Sequence, residues 1–146
     1  MKKLLSVFLT LVIVISCTGC SAALKGNTVN TKSAQEFVDM MGMGWNLGNT
    51  LDPINGNGDD LKYETSWGNQ LTQRELITYI KSQGFDTIRI PVSWGEHTDT
   101  APDYIIREPW FARVQEIVDW CVEEDMFVII NLHHDGEWIR KASVDY

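Results

Sequence analysis

The chain has 146 residues, room for one ordinary domain, and its 20 Asp and Glu against 12 Lys and Arg give a formal net charge of −8. An acidic chain without a basic stripe argues against nucleic acid as a partner. Six tryptophans are many for this length. Only Trp110 and Trp120 fall in a helical core pattern, whereas Trp45, Trp67, Trp94 and Trp138 stand beside Gly, Asn or charged residues, where loops are expected.

Lys2 and Lys3 precede a nearly unbroken apolar run from Leu4 to Ile15, which is short for a bilayer span and has the length of a signal h-region. The run leads into "CTGC" at residues 17–20. Thr18 and Gly19 before Cys20 resemble a bacterial lipoprotein box, in which the cysteine is lipidated and becomes the new N-terminus. Cys17 stands where that pattern usually has Leu, so ordinary cleavage near "CSAA" competes with lipidation. Residues 1–20 are read as a signal peptide on either view. The protein is expected to be exported, to the extracellular space or, anchored in a membrane through Cys20, to the cell surface. Residues 21–32 are small and polar and read as a flexible tether. Cleavage before Cys20 leaves Cys121 as the only other cysteine, too few for a disulfide framework or a thiolate metal site.

From residue 33 the pattern becomes regular. Ser33 and Glu36 form a capping box, and Phe37, Val38 and Met41 give a short helix that stops at Gly42. A strand-like stretch, "GMGWNLGNTL" (42–51), precedes a loop rich in Asn, Gly and Asp. Thr72 and Glu75 form a second capping box, with Leu71 and Leu76 as its hydrophobic staple and Gly84 as the stop. "TIRIPVSW" (87–94) alternates with the period of a strand. A third helix begins near Pro109 and sets Trp110, Phe111, Val114, Ile117, Val118, Cys121 and Val122 on one face. The strand "FVIINLHH" (127–134) follows.

Three strands about forty residues apart, each near-continuously apolar and separated by helices, imply an α/β fold with a parallel sheet buried on both faces. The unusual polar residues gather at the C-terminal strand ends, where such sheets carry their sites. A complete (β/α)₈ barrel needs about 250 residues, so residues 33–146 are expected to be an incomplete catalytic domain carrying about three of its units.

The motifs narrow the chemistry. "GMGWNLG" is a poor dinucleotide loop, because no helix N-terminus follows it to hold a phosphate. Its glycines suit close approach of a ligand or backbone, and Asn46 and Asn49 offer amides. His133 and His134 are neighbours on a strand and should point to opposite faces, so no shared metal ion and no cofactor are expected. Arg89 lies between Ile88 and Ile90, and a buried guanidinium needs an acid. No strand-borne acid in the sequence obviously faces it. Tryptophans beside Asn, His and Arg suit a sugar, whose C–H faces stack on indoles while its hydroxyls take polar partners.

Four motifs, "GWNLGNTLD", "ETSWGN", "TIRIPVSW" and "VIINLHHDGEW", resemble glycoside hydrolase family 5, the cellulase family, and within it the bacterial endoglucanases and xyloglucanases. The resemblance runs from about residue 35 onward. It implies a (β/α)₈ TIM barrel and retaining hydrolysis of internal β-1,4 linkages in cellulose or related β-glucans. It further implies that Arg89 supports the nucleophilic glutamate and that His133 lies near the cleavage subsite. Asn46, His134, Trp45, Trp67 and Trp138 become substrate-binding candidates. The family's acid/base and nucleophile glutamates end the fourth and seventh strands, so both are expected beyond Tyr146, and Glu64, Glu96, Asp135 and Glu137 match neither. The fragment alone is therefore expected to be inactive. A surface glycan-binding lipoprotein without catalysis, or a mannanase or xylanase on the same fold, are the alternatives.

Overall fold

A computed structural model describes residues 32–100 and 102–142. The signal segment, Cys20 and the tether up to Thr31 lie outside the described residues. Among those described, no helix is long and apolar enough to cross a membrane.

Helix α1 (Ala34–Met41) starts where local chemistry says it should. The Ser33 hydroxyl accepts from the Glu36 amide, and the Glu36 carboxylate accepts from the Ser33 amide at 2.6 Å. Gly42 ends it at φ 54, a backbone conformation that favours glycine, and a Cβ there would also crowd the Asp86 side chain. Strand β1 (Gly44–Asn46) is much shorter than the expected 42–51. Asn49 takes a left-handed turn at φ 58, and the chain rejoins the sheet only at Leu51, which bridges to Val92. The following loop carries a 3₁₀ turn over Asp60–Thr65.

Helix α2 (Arg74–Ser82) does not use the expected capping box. Thr72 is claimed from outside: its amide donates to Glu64 Oε1 at 2.7 Å and its carbonyl accepts from Arg113 Nη2 at 2.7 Å. Gln73 becomes the N-cap without a side-chain bond, and Leu71 and Leu76 stay exposed rather than forming a buried staple. Gly84 closes the helix at φ 90, as expected.

Strand β2 (Thr87–Val92), helix α3 (Glu108–Glu123), strand β3 (Phe127–Leu132) and helix α4 (Gly136–Ala142) complete the order. The sheet is parallel with β2 central. On α3 the buried stripe is Trp110, Val114, Ile117 and Cys121, narrower than the seven residues expected, since Phe111 and Val122 are exposed. These four pack with Ile77 and Ile80 of α2 and with Ile88, Ile90 and Val92 of β2 in one core. Each buried isoleucine there contributes about 1.5–3 kcal/mol. Burial of Cys121 pushes its thiol up to about 12, so it acts as an inert apolar group. Only β2 is covered as expected of a two-sided strand. Ile129, Ile130 and Leu132 of β3 are exposed, because no described strand pairs with its far edge. Helix α4 was not foreseen; it follows Asp135, whose carbonyl accepts from the Ile139 amide at 2.9 Å.

Candidate active site

The C-terminal ends of the three strands are tied together by one buried residue. Ser93 takes the Leu51 carbonyl with its amide at 2.9 Å, and its hydroxyl lies 2.8 Å from the Asp52 carbonyl and 2.6 Å from that of His133. Trp110 donates its indole N–H to the Ser93 carbonyl at 3.1 Å, which anchors the junction to α3.

Register decides which side chains share a face. Asn46 pairs with Arg89, Arg89 with Ile129, and Pro91 with Asn131. With two-residue alternation, Asn46, Arg89, Asn131 and the continuing His133 form a row on the face opposite the helix-covered Ile88, Ile90 and Val92. Arg89 is half-buried and meets no acid among the described residues; its Nη1 donates to the Asn46 side-chain carbonyl instead. The acid expected to face Arg89 is not among the described residues, so the Asn46 amide is a contact that leaves the guanidinium without a counter-charge here.

Past β3 the alternation ends. His134 adopts φ 55, and this turn brings its ring beside that of His133, with centroids 4.2 Å apart. The expectation that the two rings point to opposite faces fails for that reason. Trp67 approaches His134 edge-on at 5.5 Å. Beneath them Asp52, buried, holds its Oδ1 on the Thr50 amide at 2.9 Å and sets its Oδ2 4.0 Å from His133 Nε2. A recess of about 340 Å³ opens beside His134, lined also by Ile54, Asn55, Glu96 and Asp135.

The structure does not bring every candidate together. Trp45 alternates with Asn46, packs edge-on against Phe85 at 5.3 Å, and borders a separate recess of about 380 Å³ along β1 and the start of α2. Trp138 falls on α4, with its side chain outside the described atoms. Asp52 and Asn131 were missed from sequence. Asp52 reads as an ordinary turn acid before Pro53, and Asn131 as one polar residue in an apolar strand. Asn131 Oδ1 is buried without a partner among the described residues, and its Nδ2 lies 3.4 Å from His133 Nδ1.

Three of the nearby acids have structural duties. Asp135 accepts the Trp94 and Gly95 amides, both at 2.8 Å. Glu96 accepts the Asn55 amide at 2.8 Å, and fully buried Glu64 pairs with Arg113 at 2.7 Å. A further cluster braces the loop around the site. Arg107 grips Asp60 through two nitrogens, at 2.8 and 2.6 Å, and holds its carboxyl down at about 2. His97 Nδ1 sits 2.7 Å from the same carboxylate while its ring stacks on Trp110 at 3.7 Å. Burial lowers the His97 pKa despite that neighbour.

Three consecutive βα units with polar strand ends on one face are now in place, and comparison with known proteins decides the lineage. Residues 54–146 match the family described as Cellulase (glycosyl hydrolase family 5). The chain belongs to glycosyl hydrolase family 5. It is 45% identical over 120 residues to Endoglucanase A of Clostridium longisporum, covering 80% of this chain and 23% of that protein. With Endoglucanase A of Ruminococcus albus the identity is 46% over 114 residues, 78% of this chain and 31% of the relative. A GH5-4 broad specificity endoglucanase from Ruminococcus champanellensis, solved with bound cellotriose, superposes with a TM-score of 0.72 at 41% identity, covering 78% of this chain and 36% of that one. The chain therefore spans only 23–36% of the length of these three proteins. Its parallel sheet and helices correspond to part of the (β/α)₈ barrel of these enzymes.

Proposed function

We propose that residues 33–146 form the substrate-positioning part of a retaining endo-β-1,4-glucanase acting on cellulose or a related β-glucan. The observation that carries this is the row of Asn46, Arg89 and His133 on one face of the sheet, with Trp67 and His134 at its rim. An indole edge and two imidazoles suit a pyranose ring and its hydroxyls, and the guanidinium is poised to hold a carboxylate nucleophile ionised and aligned. Both reacting glutamates are assigned to later barrel units. Retaining hydrolysis needs two carboxyl groups about 5–5.5 Å apart, and Glu64, Glu96 and Asp135 are committed to structural contacts. The 146 residues alone are therefore inactive in this proposal, and export through the N-terminal signal, with lipidation at Cys20, places the enzyme outside the cytoplasm beside its polymer.

A chimera tests the proposal: residues 33–146 joined to the remaining barrel of Endoglucanase A from Ruminococcus albus, assayed for reducing-sugar release from carboxymethylcellulose. The chimera should hydrolyse it, and the 146 residues alone should not. A folded chimera silent on every β-glucan tried, or clear hydrolysis by the mass-verified chain alone, would overturn the assignment.

A further inference from the structure

We infer that Asp52, His133 and His134 form a binding site for a borderline divalent transition-metal ion, with Zn²⁺ as the best-matched occupant. Each residue offers one ligand atom, and the three atoms lie within 4.8 Å of one another. Two imidazoles and a carboxylate are the donor set that suits Zn²⁺ and its neighbours, whereas Mg²⁺ and Ca²⁺ favour all-oxygen cages. Metal–ligand bonds of about 2.0–2.2 Å put neighbouring donors of a tetrahedral site roughly 3.3 Å apart, so gaps of up to 4.8 Å must close by as much as about 1.5 Å.

The parts that must move are those able to do so. Asp52 is fixed, with its side chain only 6% exposed and its Oδ1 held by the Thr50 amide, which leaves Oδ2 presented toward His133 Nε2 at 4.0 Å. His133 is partly exposed and His134 exposed, so small ring rotations complete the approach without disturbing the backbone. The left-handed turn at His134 creates the site; in regular strand geometry the second ring would lie on the other face. Three protein donors leave at least one coordination position to solvent, the open arrangement of a site at a cleft surface. The ion has no part in the retaining mechanism proposed above. Occupancy would instead tie up both imidazoles at the rim of the cleft, so Zn²⁺ and glucan exclude each other there. That consequence rests on the glucan reading; metal binding itself does not.

The chain contains three histidines, and the third, His97, is fully buried against Asp60 and Trp110; Cys17→Ser and Cys20→Ser in the titrated protein remove the remaining N-terminal donors for Zn²⁺. Untagged protein is titrated calorimetrically with Zn²⁺ near neutral pH, and Co²⁺ absorption is recorded as an independent sign of imidazole and carboxylate coordination. The expected result is one ion per chain, with affinity at least about 10-fold weaker in both His134→Gln and Asp52→Asn. Asp52→Asn keeps the acceptor for the Thr50 amide, and thermal melts identify a variant that has lost its fold. Absence of saturable Zn²⁺ binding and of Co²⁺ bands in this parent protein overturns the inference. So does wild-type affinity in either folded variant. Metal binding without glucanase activity in the chimera would leave this site standing and remove the glucanase assignment.

Discussion

The Ser93 hydroxyl lies 2.6 Å from the carbonyl oxygen of His133, forty residues along the chain. The same hydroxyl is 2.8 Å from the Asp52 carbonyl, so one shared proton serves two strand ends. Ser93→Ala would leave both buried-side acceptors short of a donor, a loss of about 1–3 kcal/mol. Thermal unfolding of the variant should show it, and a melting temperature unchanged from wild type would contradict the bridging role.

Glu64 is completely buried and Arg113 nearly so, and their pairing joins the loop before α2 to α3. Breaking such a pair from one side leaves an uncompensated charge, so Glu64→Gln should cost about 3–5 kcal/mol. Replacing both residues by methionine should recover most of that loss, because the desolvation cost disappears with the charges. Denaturant unfolding of the two variants separates these outcomes; equal destabilisation would mean the geometry rather than the charge matters.

Acid should weaken the brace around Asp60 in two stages. His97 has a folded pKa below the ordinary 6.5 because burial favours the neutral ring. Its contribution to stability is complete above 6.5 and is lost as the pH falls from there through the lowered folded value. Asp60, held at about 2 by Arg107 against an ordinary 3.8, contributes fully above 3.8 and loses that contribution as the pH falls through about 2. Melting temperatures measured across this range should fall in both windows. His97→Phe keeps a ring against Trp110 and should flatten the first stage only. An unaltered slope in that variant would assign the first stage to another group.

Arg89→Lys preserves a positive charge but loses the planar fork that holds Asn46 and, in the proposal, a carboxylate nucleophile. In the chimera kcat should fall by a factor on the order of 10²–10³, the scale seen when an oriented donor is removed. Turnover within about twofold of the parent chimera would exclude that role.

Export can be checked without an activity assay. Cys20→Ala should move the protein from the membrane fraction to the soluble exported fraction, since one thiol carries the proposed anchor. Membrane association that survives the substitution would argue for cleavage elsewhere and against lipidation.

Local interactions were legible in the sequence wherever nothing distant competed for the same groups. The Ser33–Glu36 capping box formed because both partners sit three residues apart on an exposed turn. The equivalent pattern at Thr72 and Glu75 failed, since buried Glu64 and Arg113 claimed the Thr72 backbone first. The helical spacing on α3 was correctly read, yet periodicity could not say that Phe111 and Val122 would remain exposed, because burial depends on what packs alongside.

The α/β class, the parallel order and the family lineage were carried by the sequence itself, in the strand periods, the helix signals and the four motifs. Which polar residues meet was decided only in three dimensions. Asn46 and Arg89 are 43 positions apart and touch through sheet register. Asp52 reaches His133 because Ser93 draws their backbones to one point, and His134 joins them because a left-handed turn breaks the strand's alternation. Hydrophobic period is a property of neighbours along the chain; a site is a property of neighbours in space, set by register and by single backbone turns that periodicity does not encode.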